Sequence, residues 1–302
     1  MVGQRSRSVR ASAETWIGLG LCAAVVLGWA LGRRVPDPDG GQALGPVWLP
    51  LVAAGIAAAG ILPLGRSAWR LRVQPALCWI GVLLLLWAAN GLPFDLLTMA
   101  GLIGHRTASG DVVMSTVYWP GLVPRAAALA AAVMLARAAL ARPAPAEPAH
   151  PAPWYGYAAF VLALPYPLMR VHWAMGGTLG ISAPGRAGEG WEPLLIAVPW
   201  VLAAGLSLLL VSPPTGIPRR LLLTAGWAAT VIVAMIGPAA LWALISAIAS
   251  GGDTGSEDIA LWVFALFYGS WFLWAIAAAA ATRSYQLRTA PGALQDTQVC
   301  AG

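Results

Sequence analysis

Seven side chains able to carry charge or hydrogen bonds stand inside otherwise apolar runs: Asn90 and Asp95, Tyr118 and Arg125, Arg170 and His172, and Tyr268. An Asp or Arg facing lipid near the bilayer centre is disfavoured by about 2.5 to 3.5 kcal/mol, so such residues turn inward and find partners. Asp95 is therefore expected to pair with Arg170 or Arg125. Gathered in one polar layer, the seven residues would line a pocket able to bind a small-molecule substrate. The competing reading is that the ion pair only fixes helix packing, or that Arg170 snorkels outward along its own span. His172 reads either as a proton carrier or as a hydrogen-bond donor to a neighbouring span. A bis-histidine haem would need a second intramembrane imidazole, whereas His105 and His150 fall in a loop and a linker. A metal site fails for the same shortage of ligands, and no cofactor is expected. No H-E-x-x-H, G-x-S-x-G, P-loop or Rossmann glycine pattern occurs, so no catalytic residue is assigned.

The elements that must position these residues are membrane spans. A chain of 302 residues, 59% hydrophobic and only 10% charged with a mean hydropathy of +0.72, carries more apolar surface than one water-soluble core can hide. The net charge of +6 comes from 18 arginines and no lysine, placed in short segments between apolar runs. That distribution marks membrane topology and not nucleic-acid binding. The arginine-only usage, with the excess of Ala, Gly and Pro, reads as codon bias in a GC-rich bacterial genome. Cys22, Cys78 and Cys300 form no C-x-x-C, which leaves a thiol relay without support. A lipoprotein reading of Cys22 fails because Leu21 precedes it and the apolar run continues past it.

Eight spans are expected, at about 16–32, 45–64, 76–103, 112–140, 154–181, 191–211, 221–249 and 259–282. They define an all-α polytopic transmembrane bundle. The N-terminal half covers 1–140 with a disordered tail over 1–13; a Pro/Ala-rich cytoplasmic linker occupies 141–153. The C-terminal half covers 154–285, and a disordered tail covers 286–302. Twelve arginines fall on one side of this layout, four on the other, and Arg125 and Arg170 within it. The bias places both termini in the cytoplasm of a bacterial plasma-membrane protein. Counting about 1.5 Å per residue from the cytoplasmic ends puts Asn90, Asp95, Arg170 and His172 roughly two thirds of the way toward the outside.

The halves share landmarks in the same order. Gly28-Trp29-Ala30-Leu31-Gly32 matches His172-Trp173-Ala174-Met175-Gly176 at an offset of 144, Pro93 matches Pro238 at 145, Trp79 matches Trp227 at 148, and Tyr118 matches Tyr268 at 150. An internal duplication explains the set. Four spans per half is an even number, so the repeats would insert in parallel, with the pocket expected between the halves and open outward. The companion glycines Gly176 and Gly177 read as close-packing positions between helices.

The run HWAMGGTLG, 172–180, with the late span containing Tyr268, resembles a family of small four-span bacterial membrane proteins of unknown function. The resemblance implies an architecture of two fused family units and brings no activity with it. Three function classes remain from the residues: a non-enzymatic small-molecule carrier or accessory protein, a membrane-embedded enzyme acting on a lipid or isoprenoid, and a structural subunit of a membrane-protein complex. The acidic outer segment 251–258 is the feature that points to a protein partner. Membrane lipids are expected neighbours throughout, and nucleic acid is not.

Overall fold

The computed structural model describes residues 2–32, 46–62, 68–100, 104–106, 112–114, 119–140, 153–181, 192–249, 251 and 259–289. The chain divides into two compact units, Met1–Glu147 and Pro148–Gly302, and the boundary falls inside the Pro/Ala-rich segment. Both units are helical. Among the described residues, five helical stretches are long and apolar enough to cross a membrane: Ala13–Gly32, Val73–Met99, Trp119–Leu140, Arg219–Ala249 and Leu261–Arg288. Large apolar side chains on their outer faces are open, with Trp16 at 73% and Leu31 at 63% exposure. A water-soluble surface seldom carries so many.

The first unit holds α1 (Val2–Gly32), α2 (Leu49–Ile61), α3 (Ala68–Ala88), α4 (Leu92–Met99) and α5 (Trp119–Leu140). An antiparallel ribbon of β1 (Gly104–Arg106) and β2 (Val112–Met114), with His105 opposite Val113, lies between α4 and α5. α1 packs on α2 and α5, and α3 packs on α2 and α5. Small residues permit these contacts: Ala53, Ala57, Ala128 and Ala131 are buried, and a Cβ on Gly81 would stand 3.1 Å from the Ala57 Cα. α3 gives way to α4 at Ala89–Gly91, where Pro93 cannot donate a backbone hydrogen bond, and Leu92 N–H bonds to Ala89 O at 2.9 Å instead.

The second unit holds α6 (Trp154–Ala163), α7 (Pro165–Ala174), α8 (Glu192–Val211), α9 (Arg219–Ala249) and α10 (Leu261–Arg288). Pro165 and Pro167 remove two amide donors, which separates α6 from α7. Leu164 between them keeps helical dihedrals, φ −74° and ψ −35°. The stretch 154–174 still measures about 31 Å along a helix axis, enough for the hydrocarbon thickness. α6 and α7 pack on α8, α6 also on α10, and α9 on both α8 and α10. Beyond α7 the chain turns through Gly176 (φ 83°) and Gly180 (φ 74°) and closes on the start of α10. There Ile181 bridges Ile259, and Ala260 N–H bonds to Gly180 O at 2.9 Å.

Several boundaries differ from the sequence expectation. Residues 2–12, expected as a disordered tail, continue α1 as helix. The fourth span begins at Trp119, because 112–114 pairs as a strand with 104–106. α2 is shorter than the expected second span, ending at Ile61, and the third span stops at Met99. Gly176 and Gly177 lie past the end of α7, in the turn and not in a helix contact. Residues 286–288, expected as the start of a disordered tail over 286–302, continue α10 as helix; 141–152 of the expected linker 141–153, and 290–302, lie outside the described residues.

Candidate functional site

In the first unit the α3–α4 break and α5 bring Asp95 and Arg125 together. Arg125 Nη1 donates to both Asp95 Oδ1 and Oδ2 at 2.8 Å, with side-chain exposures of 12% and 6%. Of the two cations the sequence offered, Asp95 has taken Arg125. The carboxylate sits in the first turn of α4, where the unsatisfied amides and the helix dipole favour a negative charge. Arg125 reaches it by lying over Gly91: a Cβ at that position would come 2.5 Å from the guanidinium Cζ and 2.6 Å from Nε. The glycine that interrupts the helix also makes room for the cation. Asn90, one residue earlier, is buried and has an interaction partner.

The pair is closed on itself. Its charges cancel, and both carboxylate oxygens accept from the same guanidinium nitrogen.

In the second unit Tyr166, Arg170 and Trp173 fall at i, i+4 and i+7 on one face of α7. Arg170 Nη2 donates to the Tyr166 hydroxyl at 2.9 Å. Its guanidinium carbon lies 5.0 Å from the Tyr166 ring centroid and 5.4 Å from that of Trp173. No carboxylate pairs with it among the described residues, and its Nε is buried without an acceptor. Aromatic rings from α8 and α10 complete the surround. Tyr166 meets Phe267 at 4.8 Å, Trp271 at 5.2 Å and Trp200 at 5.6 Å, and Trp200 stacks on Trp271 at 4.6 Å with planes 15° apart. Tyr268 packs edge-on against Trp271 at 5.2 Å and Phe264 at 4.1 Å.

His172 makes a contact that was not among the two roles weighed from sequence. Its Nε2 accepts the Leu179 N–H at 3.3 Å, so the imidazole holds its own following turn in place and does not donate to a neighbouring span. Gly177 lies directly against the ring, where any Cβ would overlap it. Trp173 Nε1 fastens the same turn through Leu179 O at 2.9 Å.

The seven sequence-selected residues thus appear as an ion pair with Asn90 nearby in the first unit, and as Arg170, His172 and Tyr268 among aromatics in the second. Tyr118 lies outside the described residues. The residues missed were Gly91, Tyr166, Trp200 and Trp271. Tyr166 had a signal in its spacing to Arg170 and Trp173; Trp200 and Trp271 come from other helices and had none. A cavity of about 280 Å³ opens elsewhere in the first unit, lined by Glu14, Gly60, Cys78, Leu135 and Arg137, and touches none of the seven. No cluster of three His, Cys, Asp or Glu suited to a metal occurs among the described residues. Comparison with protein-family models, with curated proteins and with solved structures finds no match.

Proposed function

We propose that the chain is a bacterial plasma-membrane protein of eight spans in two fused four-helix halves, working as a non-enzymatic carrier or accessory protein. Its small-molecule ligand would sit on the outward side, at Arg170. The observation that carries this is the contrast between the two arginines. Arg125 is neutralised by Asp95, whereas Arg170 has no carboxylate partner among the described residues and a buried Nε without an acceptor there. A cation held at some depth without a counter-ion favours an incoming anion or dipole. On this reading Asp95 and Arg125 hold helices together and Arg170 meets the ligand.

The duplication draws support from helix order. In each unit the first span neighbours the second and fourth, and the third neighbours the second and fourth, counting α3–α4 and α6–α7 as single spans. At the landmark shared by the halves, Gly28 packs against Pro124, while the matching His172 packs against Gly177. The unit resembling small four-span membrane proteins would then have kept its frame and diverged in its polar positions.

The test is thermal unfolding of the purified protein in a neutral maltoside detergent against a panel of small anions, neutral solutes and amphiphiles. Arg170→Ala should abolish the ligand-dependent shift and leave the protein folded. Asp95→Leu should lower the midpoint yet keep the shift. A panel in which Arg170→Ala responds like the wild type to every compound refutes the ligand role. Co-purification at fixed stoichiometry with another membrane protein would favour a structural subunit. Topology has its own probe: Cys22 and Cys78 are buried, so an impermeant maleimide should label Cys300 from the cytoplasmic side alone.

A further inference from the structure

Around the Tyr166 ring, hydrogen-bond donors exceed acceptors. Arg170 Nε and Trp271 Nε1 are both buried and without acceptors among the described residues, and both side chains pack on Tyr166. The Tyr166 oxygen already accepts from Arg170 Nη2, which leaves its own proton to give. Guanidinium and indole nitrogens can only donate, so Arg170 Nε and Trp271 Nε1 cannot satisfy each other. A buried donor left unmatched is costly, and the missing partner must be an acceptor.

Building on the reading of Arg170 as the ligand-binding cation, we propose that the site takes a phosphate-type oxyanion, either as the headgroup of a membrane lipid or as free phosphate. The donors arrive from two different helices, α7 and α10, both packed on the Tyr166 ring. A tetrahedral phosphate directs acceptor oxygens apart and suits them better than the two coplanar oxygens of a carboxylate. Arginine is the side chain best fitted to phosphate, through charge-assisted and bidentate bonds. Here its fork is held in advance between Tyr166 and Trp173, which lowers the entropy lost on binding. Leu168, Val171 and Met175, on and just after α7, are exposed and apolar, as the tails of a bound lipid would require of adjoining surface.

The experiment uses the full chain, delipidated in maltoside, with phosphatidylglycerol, inorganic phosphate or oleate added. Binding is read by native mass spectrometry and by the near-ultraviolet circular dichroism of the tryptophan cluster. Phosphatidylglycerol should bind and raise the unfolding midpoint, and Arg170→Ala should abolish both effects. Trp271→Phe, which keeps the ring and deletes the N–H, should weaken binding about tenfold. Arg170→Lys, which keeps the charge and loses Nε, serves if the alanine variant does not fold, and should also weaken binding. Competition by inorganic phosphate assigns the site to the free ion as well; binding of the lipid without such competition assigns it to the headgroup with its tails. An oleate response through Arg170 without a phosphatidylglycerol response overturns the phosphate assignment and leaves the ligand reading standing. An Arg170→Ala variant that responds to all three as the wild type does, or a wild type that responds to none, overturns both. A Trp271→Phe variant that binds like the wild type removes the second donor and with it the case for phosphate. Neutralising Asp253, Glu257 and Asp258 together should change nothing. If it reproduces the Arg170→Ala loss, the acceptor is a loop carboxylate and the proposal falls.

Discussion

Replacing Arg125 by Met should destabilise the protein more than replacing Arg125 and Asp95 together. At an effective dielectric of about 20, two unit charges about 4 Å apart attract by about 4 kcal/mol. Removing both from water costs a similar amount, so the net worth of such a pair is small. Removing one partner is different, because the other remains buried and uncompensated, at about 3 to 5 kcal/mol. Asp95 has only 6% of its side chain exposed and both oxygens bound to Arg125, so Arg125→Met strips it of both contacts. Asp95→Leu leaves a guanidinium 12% exposed in the same state. Each single variant should lose about 3 to 5 kcal/mol, and the double Asp95→Leu/Arg125→Met should lie within about 2 kcal/mol of wild type. Equilibrium unfolding in mixed micelles with rising dodecyl sulfate measures all four proteins of the cycle. A double variant that loses the sum of the single losses would refute the claim that the two charges serve each other.

Gly91→Ala should mimic the loss of Arg125 in the wild type, since the new Cβ would meet Cζ at 2.5 Å, yet cost little in the Arg125→Met background. The same unfolding cycle checks it. Gly177→Ala should lower the thermal midpoint by displacing the His172 ring, and a smaller residue at 172 should recover part of the loss in a scan of the double variant Gly177→Ala/His172→Ala. Arg288 donates to Leu210 O at 2.7 Å and Val211 O at 3.3 Å, capping the last carbonyls of α8, so Arg288→Ala should cost about 1.5 to 3 kcal/mol in the same assay.

The helices were legible because hydrocarbon leaves the chain few choices: each long apolar run is helical over most of its described length. Their ends were less legible. The run 112–140 is apolar from its first residue, but 112–114 found a strand partner in 104–106, and hydropathy cannot distinguish the two. α1 begins well before its apolar face does, since arginine and serine do not end a helix by themselves. The Asp95–Arg125 pair could be narrowed to two candidates, because a buried carboxylate requires a cation and only two arginines lay at depth. The aromatic surround of Arg170 could not, because Trp200 and Trp271 join it from helices whose rotation no local pattern records.

Under the proposed duplication, at the offsets set by Pro93/Pro238 and by Tyr118/Tyr268, Asp95 and Arg125 would correspond to Ala240 and Ala275. Both alanines are buried, in α9 and α10, which pack closely with each other. Gly237 next to Pro238 lets the α10 backbone approach, with a Cβ there reaching 3.2 Å from the Phe272 Cα. The second unit thus joins its third and fourth spans with small residues in the places where the first unit uses an ion pair. Conversely Arg170 corresponds to Val26 in the first unit, at the offset of the shared Trp-Ala-x-Gly run. A frame that holds with alanines in one half does not need charge for packing in the other. Specificity of register is what the ion pair adds, because two buried charges can meet in one alignment only. Arg170 has no carboxylate partner among the described residues, and under the proposed ligand role its partner comes from outside the chain.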